Sequence, residues 1–446
     1  MKKQYFIIIL TLIVLNSCDE QQAKMDQLEK SRHEKWMEDI TYFEEEFVNN
    51  SRPFPKDSIA PCLIRLKDLK ANIEVLSDTQ IMLELSRCVV MANNGHTGLS
   101  WGEMDAIPLR FYQFSDGMYI VKADSMLSEY LGAKVLKINS IEVEKVQKIV
   151  YPYISGIDRW KKYESSFRIN SPKILHALGI GKKDSLTLTL IPLNRTDSVT
   201  VSFAAKKIEN DKERSDSWAD LYPNIARGNA WRYVKNSKEN LPLYLKNTED
   251  GVFYKFMDAE KVAYFGINRL WGNCPDFKGE INEFLDKLKT KTNYNVVIDL
   301  RYFTGGDYTI PTKIATKPPK IIDENKKIYL ITSNKTFSAG VVTAARIKYF
   351  AKDNIVIVGE EVGDNLKFWA EGITYKLPNS GIKIYDSKYE HDWQDNKFIP
   401  LRTFWVNLFY GVAAKDLKVD KEIQVSFNDY MKDRDPILDW ILSEEK

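Results

Sequence analysis

The stretch Asn334-Lys335-Thr336-Phe337-Ser338-Ala339-Gly340 sets a hydroxyl between two apolar runs. Ile328 to Thr332 reads as a buried strand, and Val341 to Ala351 suits a packed helix. A strand, a sharp turn and a helix with Ser338 at its mouth follow. There a hydroxyl meets the positive end of the helix dipole and unpaired backbone N–H groups, the setting that stabilises an anionic transition state. An ordinary serine cap would occupy the same position. Upstream, Val296 to Leu300 reads as a second buried strand, followed by Arg301 and then Tyr302-Phe303-Thr304-Gly305-Gly306-Asp307. Paired glycines let the backbone approach a ligand closely and aim an N–H at it. The chemistry these types and spacings fit is nucleophilic attack by Ser338 on a carbonyl. The N–H groups of Ala339 and of Gly305 or Gly306 would then hold the oxyanion.

Such a serine needs a proton acceptor. Only four histidines exist: His33, His96, His176 and His391. His33 lies among charged helical residues and reads as solvated, His176 as packed or capping, and His391 as part of an aromatic, acidic loop. His96 stands apart in Asn94-Gly95-His96-Thr97-Gly98, a turn that follows a helical segment.

Asp299-Leu300-Arg301 with its Gly-Gly turn, then Thr336-Phe337-Ser338-Ala339, then Ile357-Val358-Gly359-Glu360-Glu361-Val362-Gly363, then Leu377-Pro378-Asn379-Ser380-Gly381 resembles the tail-specific (C-terminal processing) and tricorn-core serine peptidases. Four motifs in one order over about 85 residues make a specific signal. The resemblance implies a general base at His96, where the tricorn-type branch carries its own. Processing peptidases of the family instead use a lysine some 25 residues after the serine, in a Gly-Lys-Gly turn. Here that turn reads Gly363-Asp364-Asn365-Leu366-Lys367, which leaves Lys367 as the alternative base. The acid expected to orient the imidazole falls near Lys418-Val419-Asp420, giving Asp416 as first choice and Asp420 as second. Glu360 and Glu361 follow a core strand, placed to contact substrate or to pair with Lys or Arg.

The elements that must position these residues begin with Met1-Lys2-Lys3, an apolar run from Phe6 to Leu15, and Asn16-Ser17 before Cys18. That run is too short to span a bilayer and looks like a bacterial lipoprotein signal, residues 1–17, with lipid on Cys18 and a polar tether over 18–24. The anchored protein would face the periplasm or the cell surface. Removing residues 1–17 takes two lysines and no acids from the 64 basic and 62 acidic residues, leaving 62 of each. A neutral balance offers nothing to nucleic acid. Beyond Cys18, only Cys62, Cys88 and Cys274 remain, enough for one disulfide, and no Cys or His spacing resembles a zinc site. The reading requires no cofactor.

The fold class that results is multidomain α+β. Residues 25–99 form a helical N-terminal unit: Trp36, Ile40, Phe43 and Phe47 recur at helical spacing, as do Leu63, Leu66, Leu69 and Ile73. Ser77 and Gln80 form a capping box before a third helix. Residues 100–205 read as short strands, and Leu131–Asn139 with Ile141–Val146 resembles half of a PDZ-like module. Residues 206–250 are a charged linker, and 251–446 alternate strands with helices as in the family's crotonase/Clp-like core. Two functions follow from the sequence. One is a lipid-anchored serine endopeptidase acting on extracytoplasmic protein or peptide. The other is a non-catalytic peptide- or ligand-binding lipoprotein that keeps the fold, motivated by the segment after Asp416, where Lys418-Val419-Asp420-Lys421-Glu422 lacks the glycine and proline of the family's Gly-Val-x-Pro-Asp. Oligomeric state is not encoded in any legible pattern.

Overall fold

Alternate residues of the central strands belong to two different hydrophobic clusters, so the sheet they build is covered on both faces. Ala263, Phe265, Val296, Ile298 and Leu330 pack on one side, while Val262, Tyr264, Val297, Tyr329 and Ile331 pack on the other. Continuous apolar runs, fully buried, are what such a sheet requires. The computed structural model describes residues 30–102, 105–207, 221, 230–235, 239–246, 251–268 and 276–444. The N-terminal signal with Cys18 and its tether, most of the charged stretch after Lys206, and Cys274 lie outside these residues.

This six-stranded sheet runs in the order Lys421–Glu422, Ile355–Gly359, Ile328–Thr332, Asn295–Asp299, Val262–Ile267, Val252–Met257. Its first five strands are parallel and the Val252–Met257 strand closes one edge antiparallel. Helix Phe277–Lys289, capped by Asp276, buries Ile281, Phe284, Leu285 and Leu288 on one face. Helix Ala339–Ala351 packs on the same face, and the terminal helix Pro436–Ser443 covers the other through Ile437, Leu438 and Ile441. The chain is thus mixed α/β, as the alternating pattern over residues 251–446 predicts.

A second sheet follows the path Leu109–Phe114, Gly117–Asp124, Lys134–Ile138, Ser185–Ile191, Val199–Ala204, with Ile141–Glu142 and Trp231–Tyr233 paired alongside. The helices Arg32–Tyr42, Lys56–Ala71 and Asp78–Val90 share a single hydrophobic cluster with it, joining Ile40, Leu66 and Leu85 to Ile120, Val135 and Leu188. Capping boxes at Ser31 with Glu34 and Ser77 with Gln80 start the first and third of these helices.

Two expectations need correction here. Ile141–Val146 is not one strand: pairing ends at Glu142 and a helix, Val143–Val150, follows. Val143, Val146, Gln147 and Val150 are buried at positions i, i+3, i+4 and i+7, and that helical period outweighs the short alternation. Further helices, Asp158–Arg168 and Pro172–Ala177, also interrupt the expected run of strands. Cys62 and Cys88 are neighbouring buried free thiols, so no disulfide joins them.

A third, three-stranded sheet of Gly98–Leu99, Lys383–Asp392 and Lys367–Lys376 bridges the two larger units. Its Leu377-to-Gly381 turn is clamped by the buried Asp39 of the first helix, which accepts from Asn379 N and Ser380 N at 2.8 Å each. That motif is a structural tie, and the sheet it fixes carries the histidine turn toward the central sheet.

Candidate active site

Strand Ile328–Thr332 leaves the sheet into a loop held from behind by the parallel neighbour Asn295–Asp299. Thr336 Oγ1 donates to Leu300 O at 2.9 Å, Ser333 Oγ to Arg301 O at 2.5 Å, and Phe337 N to Phe303 O at 3.2 Å. Gly340 lets the next turn press in, because a Cβ there would lie 2.2 Å from Phe303 O. Clamped on both sides, Ser338 takes φ 51° and ψ −119° at the N-cap of helix Ala339–Ala351. A side chain at positive φ costs about 1–3 kcal/mol and persists only where the surroundings enforce it. Ser338 occupies the cap position, yet its hydroxyl makes no capping hydrogen bond. The ordinary-cap alternative therefore does not describe this residue.

The Asp-Leu-Arg segment that supports the loop is itself locked by charge. Arg301 pairs with Asp299 at 2.8 Å and, through both terminal nitrogens, with Asp435 at 3.0 and 2.8 Å. Tyr264 Oη donates to Asp299 at 2.7 Å. All four groups are buried, so the network trades desolvation for fixed geometry. Beyond it, Gly305 and Gly306 adopt φ 149° and 124°, left-handed values that favour glycine, and Ala339 heads the helix with one of its orphan N–H groups.

The turn bearing His96 is hooked to the bridging sheet by Asn94. Its Nδ2 donates to Trp369 O and Thr97 Oγ1, both at 3.0 Å, and its Oδ1 accepts from Trp369 N at 3.0 Å. The His96 ring lies between Phe337, the residue before Ser338, at 4.6 Å and 21°, and Phe368 at 4.9 Å and 15°. Trp160 extends the column beyond Phe337, and His391 then Phe404 extend it beyond Phe368. Six stacked rings fix the imidazole plane and hold it against the serine turn. His96 is 12% exposed, and its Nδ1 lies 3.3 Å from Oδ2 of Asp364, itself 3% exposed. The contact is close but not aligned for a hydrogen bond, and Nε2 also lacks a partner. His96 thus stacks on the residue before Ser338, with no hydrogen bond formed at either ring nitrogen.

Asp364 is a buried carboxylate beside His96 that sequence reasoning did not single out. It belongs to the very turn read for an absent lysine, and Gly363 N donates to Thr336 O at 2.9 Å, tying that turn to the serine loop. Asp416, the expected orienting acid, is 62% exposed and salt-bridged to Lys348 on the surface. Asp420, the second choice, accepts from Ile357 N at 2.8 Å and so finishes a strand edge. Lys367 is 45% exposed and lies 3.5 Å from Asp392 and 3.6 Å from Glu390, a half-exposed side chain paired to two buried carboxylates instead of a buried base. Glu361 pairs with Arg159 at 2.7 Å.

His391 is not on a loop. It sits within strand Lys383–Asp392, buried, and burial together with nearby His96 pushes its ring down to about 3, keeping it neutral. Its Nε2 is 3.8 Å from Glu371, a residue of the neighbouring strand at φ 48°. Burial raises the Glu371 carboxyl, against the opposing pull of His96. His33 pairs with Glu74 on the surface, as read from sequence; His176 is exposed, not packed, and its Nδ1 meets Gly181 O beyond its helix at 2.9 Å.

No family model and no curated protein matches the sequence. Solved structures do. Mature CPAF complexed with lactacystin aligns at 12% identity over 93% of this chain and 98% of that chain, with a TM-score of 0.59. Mature CPAF alone aligns at 12% identity over 93% and 97%, with a TM-score of 0.57. These neighbours are tail-specific, S41-type serine peptidases. At such identity the likeness is one of fold: the chain has the fold of that peptidase class.

Proposed function

We propose that the chain is a serine peptidase in which Ser338 attacks the peptide carbonyl and His96 takes its proton. Asp364 orients the imidazole, and the N–H groups of Ala339 and of Gly305 or Gly306 receive the oxyanion. The observation that carries this reading is the strained, uncapped Ser338 at a helix N-terminus beside a histidine whose ring plane is fixed by stacking. Asp364 fits its role because it is buried and lies on the Nδ1 side, leaving Nε2 for the serine. Substrates in this reading are proteins or peptides. The finer layout, a PDZ-like module before a crotonase-like core, belongs to the same proposal, and the five parallel strands with intervening helices support its second half. Lipid attachment at Cys18, with the protein facing the periplasm or cell surface, rests on the signal-like first 17 residues.

A fluorophosphonate probe tests the chemistry: wild type should label on Ser338, and Ser338→Ala and His96→Ala should not. The second reading, a binding protein that keeps the fold, draws on the two unpartnered His96 nitrogens. It prevails if wild type stays unlabelled while binding peptides as well as Ser338→Ala does. Metabolic labelling with a clickable fatty acid, lost in Cys18→Ser, tests the anchor.

A further inference from the structure

A cavity of about 60 Å³ lies behind the serine loop, walled by Tyr112, Tyr163, Tyr302, Ser333, Lys335 and Glu360; neither Ser338 nor His96 lines it. Lys335 is 8% exposed. Its Nζ rests 3.7 Å from the ring centre of Tyr112, 4.8 Å from that of Tyr302 and 5.6 Å from that of Tyr163. Among the described residues no carboxylate reaches ion-pair distance of this nitrogen; Glu360 acts on it only from farther off. Burial brings the amine down to about 7, with Glu360 pulling the other way. The same burial raises the Glu360 carboxyl, opposed by Lys335 and Lys162. The exposed Ser115 lines the cavity as well and marks its way out to solvent.

Most of the described lysines are exposed or half-exposed. Lys335 is a desolvated amine facing a small void, and an unprotonated amine in such a pocket is a nucleophile toward carbonyl carbon. The void has room for a few waters or for one carbonyl compound of two or three carbons. We propose that Lys335 is a second reactive centre of this protein, separate from Ser338, which takes a short-chain aldehyde as a reversible imine. The nitrogen lone pair adds to the carbonyl carbon, and the oxygen gains a proton as the nitrogen loses one, giving a carbinolamine. The C–O bond then breaks and water leaves, carrying the last nitrogen-bound hydrogen, as C=N forms. Glu360, in the same wall, is the group placed to pass the proton. No oxidant or reductant enters, and addition of water reverses the step.

The test uses the whole protein in amine-free buffer at pH 7 with acetaldehyde and cyanoborohydride, which reduces the imine to a stable N-ethyl amine for peptide mass mapping. Lys335 is expected to be ethylated at least tenfold faster than solvated lysines such as Lys289, since it holds far more free amine at this pH. Its rate should rise with pH around a midpoint near 7. Lys335→Met, checked for folding by circular dichroism, removes this label alone. Tyr112→Ala keeps the lysine but wets the cage, and slows labelling at pH 7. Ser338→Ala labels like wild type, so this result and the fluorophosphonate result stand or fall separately. Labelling of Lys335 no faster than that of Lys289, or unchanged in Tyr112→Ala, overturns the proposal.

Discussion

Replacing Ser338 by glycine and by alanine separates the strain of the serine turn from its chemistry. Both variants lose the hydroxyl, which caps nothing, so neither loses a hydrogen bond on that account. They differ in what they do at φ 51° and ψ −119°. Alanine keeps the Cβ and with it about 1–3 kcal/mol of backbone strain. Glycine relieves that strain, but loses roughly 0.5–1 kcal/mol because its unfolded chain has more freedom. The relieved strain outweighs the lost entropy, so Ser338→Gly should be more stable than Ser338→Ala by about 1 kcal/mol, and no more than about 2.5. Guanidinium unfolding reads the difference, and hydrogen exchange of the amides in helix Ala339–Ala351 localises it. Neither variant should react with the fluorophosphonate. A glycine variant equal to or weaker than alanine would show that the clamp from Leu300, Arg301 and Phe303 does not strain the turn, and the argument for an enforced nucleophile would fail.

Asp364→Asn should lower peptidase turnover by roughly 10²–10⁴-fold with little change in KM, whereas Asp416→Asn and Lys367→Ala stay within about twofold. Steady-state kinetics on a peptide substrate decides, and a large loss in Asp416→Asn would restore the sequence-based acid. Asp435→Ala should destabilise the chain by about 3–5 kcal/mol, since it strands half of the buried Arg301 charge and removes the cap on Ile437 N and Leu438 N. Chemical denaturation measures it. Lys335 gives a pH signature: its amine is neutral above about 7 in the folded state, while an unfolded lysine keeps its proton to about 10.4. Between those values the unfolded state binds more protons, so stability rises with pH, by about 1.4 kcal/mol per unit at most. Lys335→Met should flatten that slope in thermal melts taken from pH 7 to 10, and an unchanged slope would refute the burial argument.

The central sheet was legible because each strand is a continuous apolar run that only a doubly covered parallel sheet accommodates. Val262–Ile267, Asn295–Asp299, Ile328–Thr332 and Ile355–Gly359 all lie where those runs fall. The helix Val143–Val150 was misread because two alternating apolar residues satisfy both periods until Val146 and Val150 are counted. Ser338, Gly305, Gly306 and Ala339 could be picked out locally, since a serine at a helix mouth and a glycine pair after a strand act through their own backbone. His96 was legible as a distinctive turn, though not as a ring within a six-membered stack.

Sequence by itself determined the order of chemistry-bearing turns along the chain and the residue types at them, because periodicity, caps and glycine requirements are local. Only the tertiary structure decided which acid meets His96. Asp364 and Asp416 are equally plain carboxylates in a string of letters. One is carried under the imidazole by the Gly363 bond to Thr336, and the other is drawn to Lys348. The same holds for Lys335, one lysine among many until three tyrosines from distant segments close around it. Burial and charge partnership are properties of contacts between segments far apart in the chain, and no local pattern encodes them.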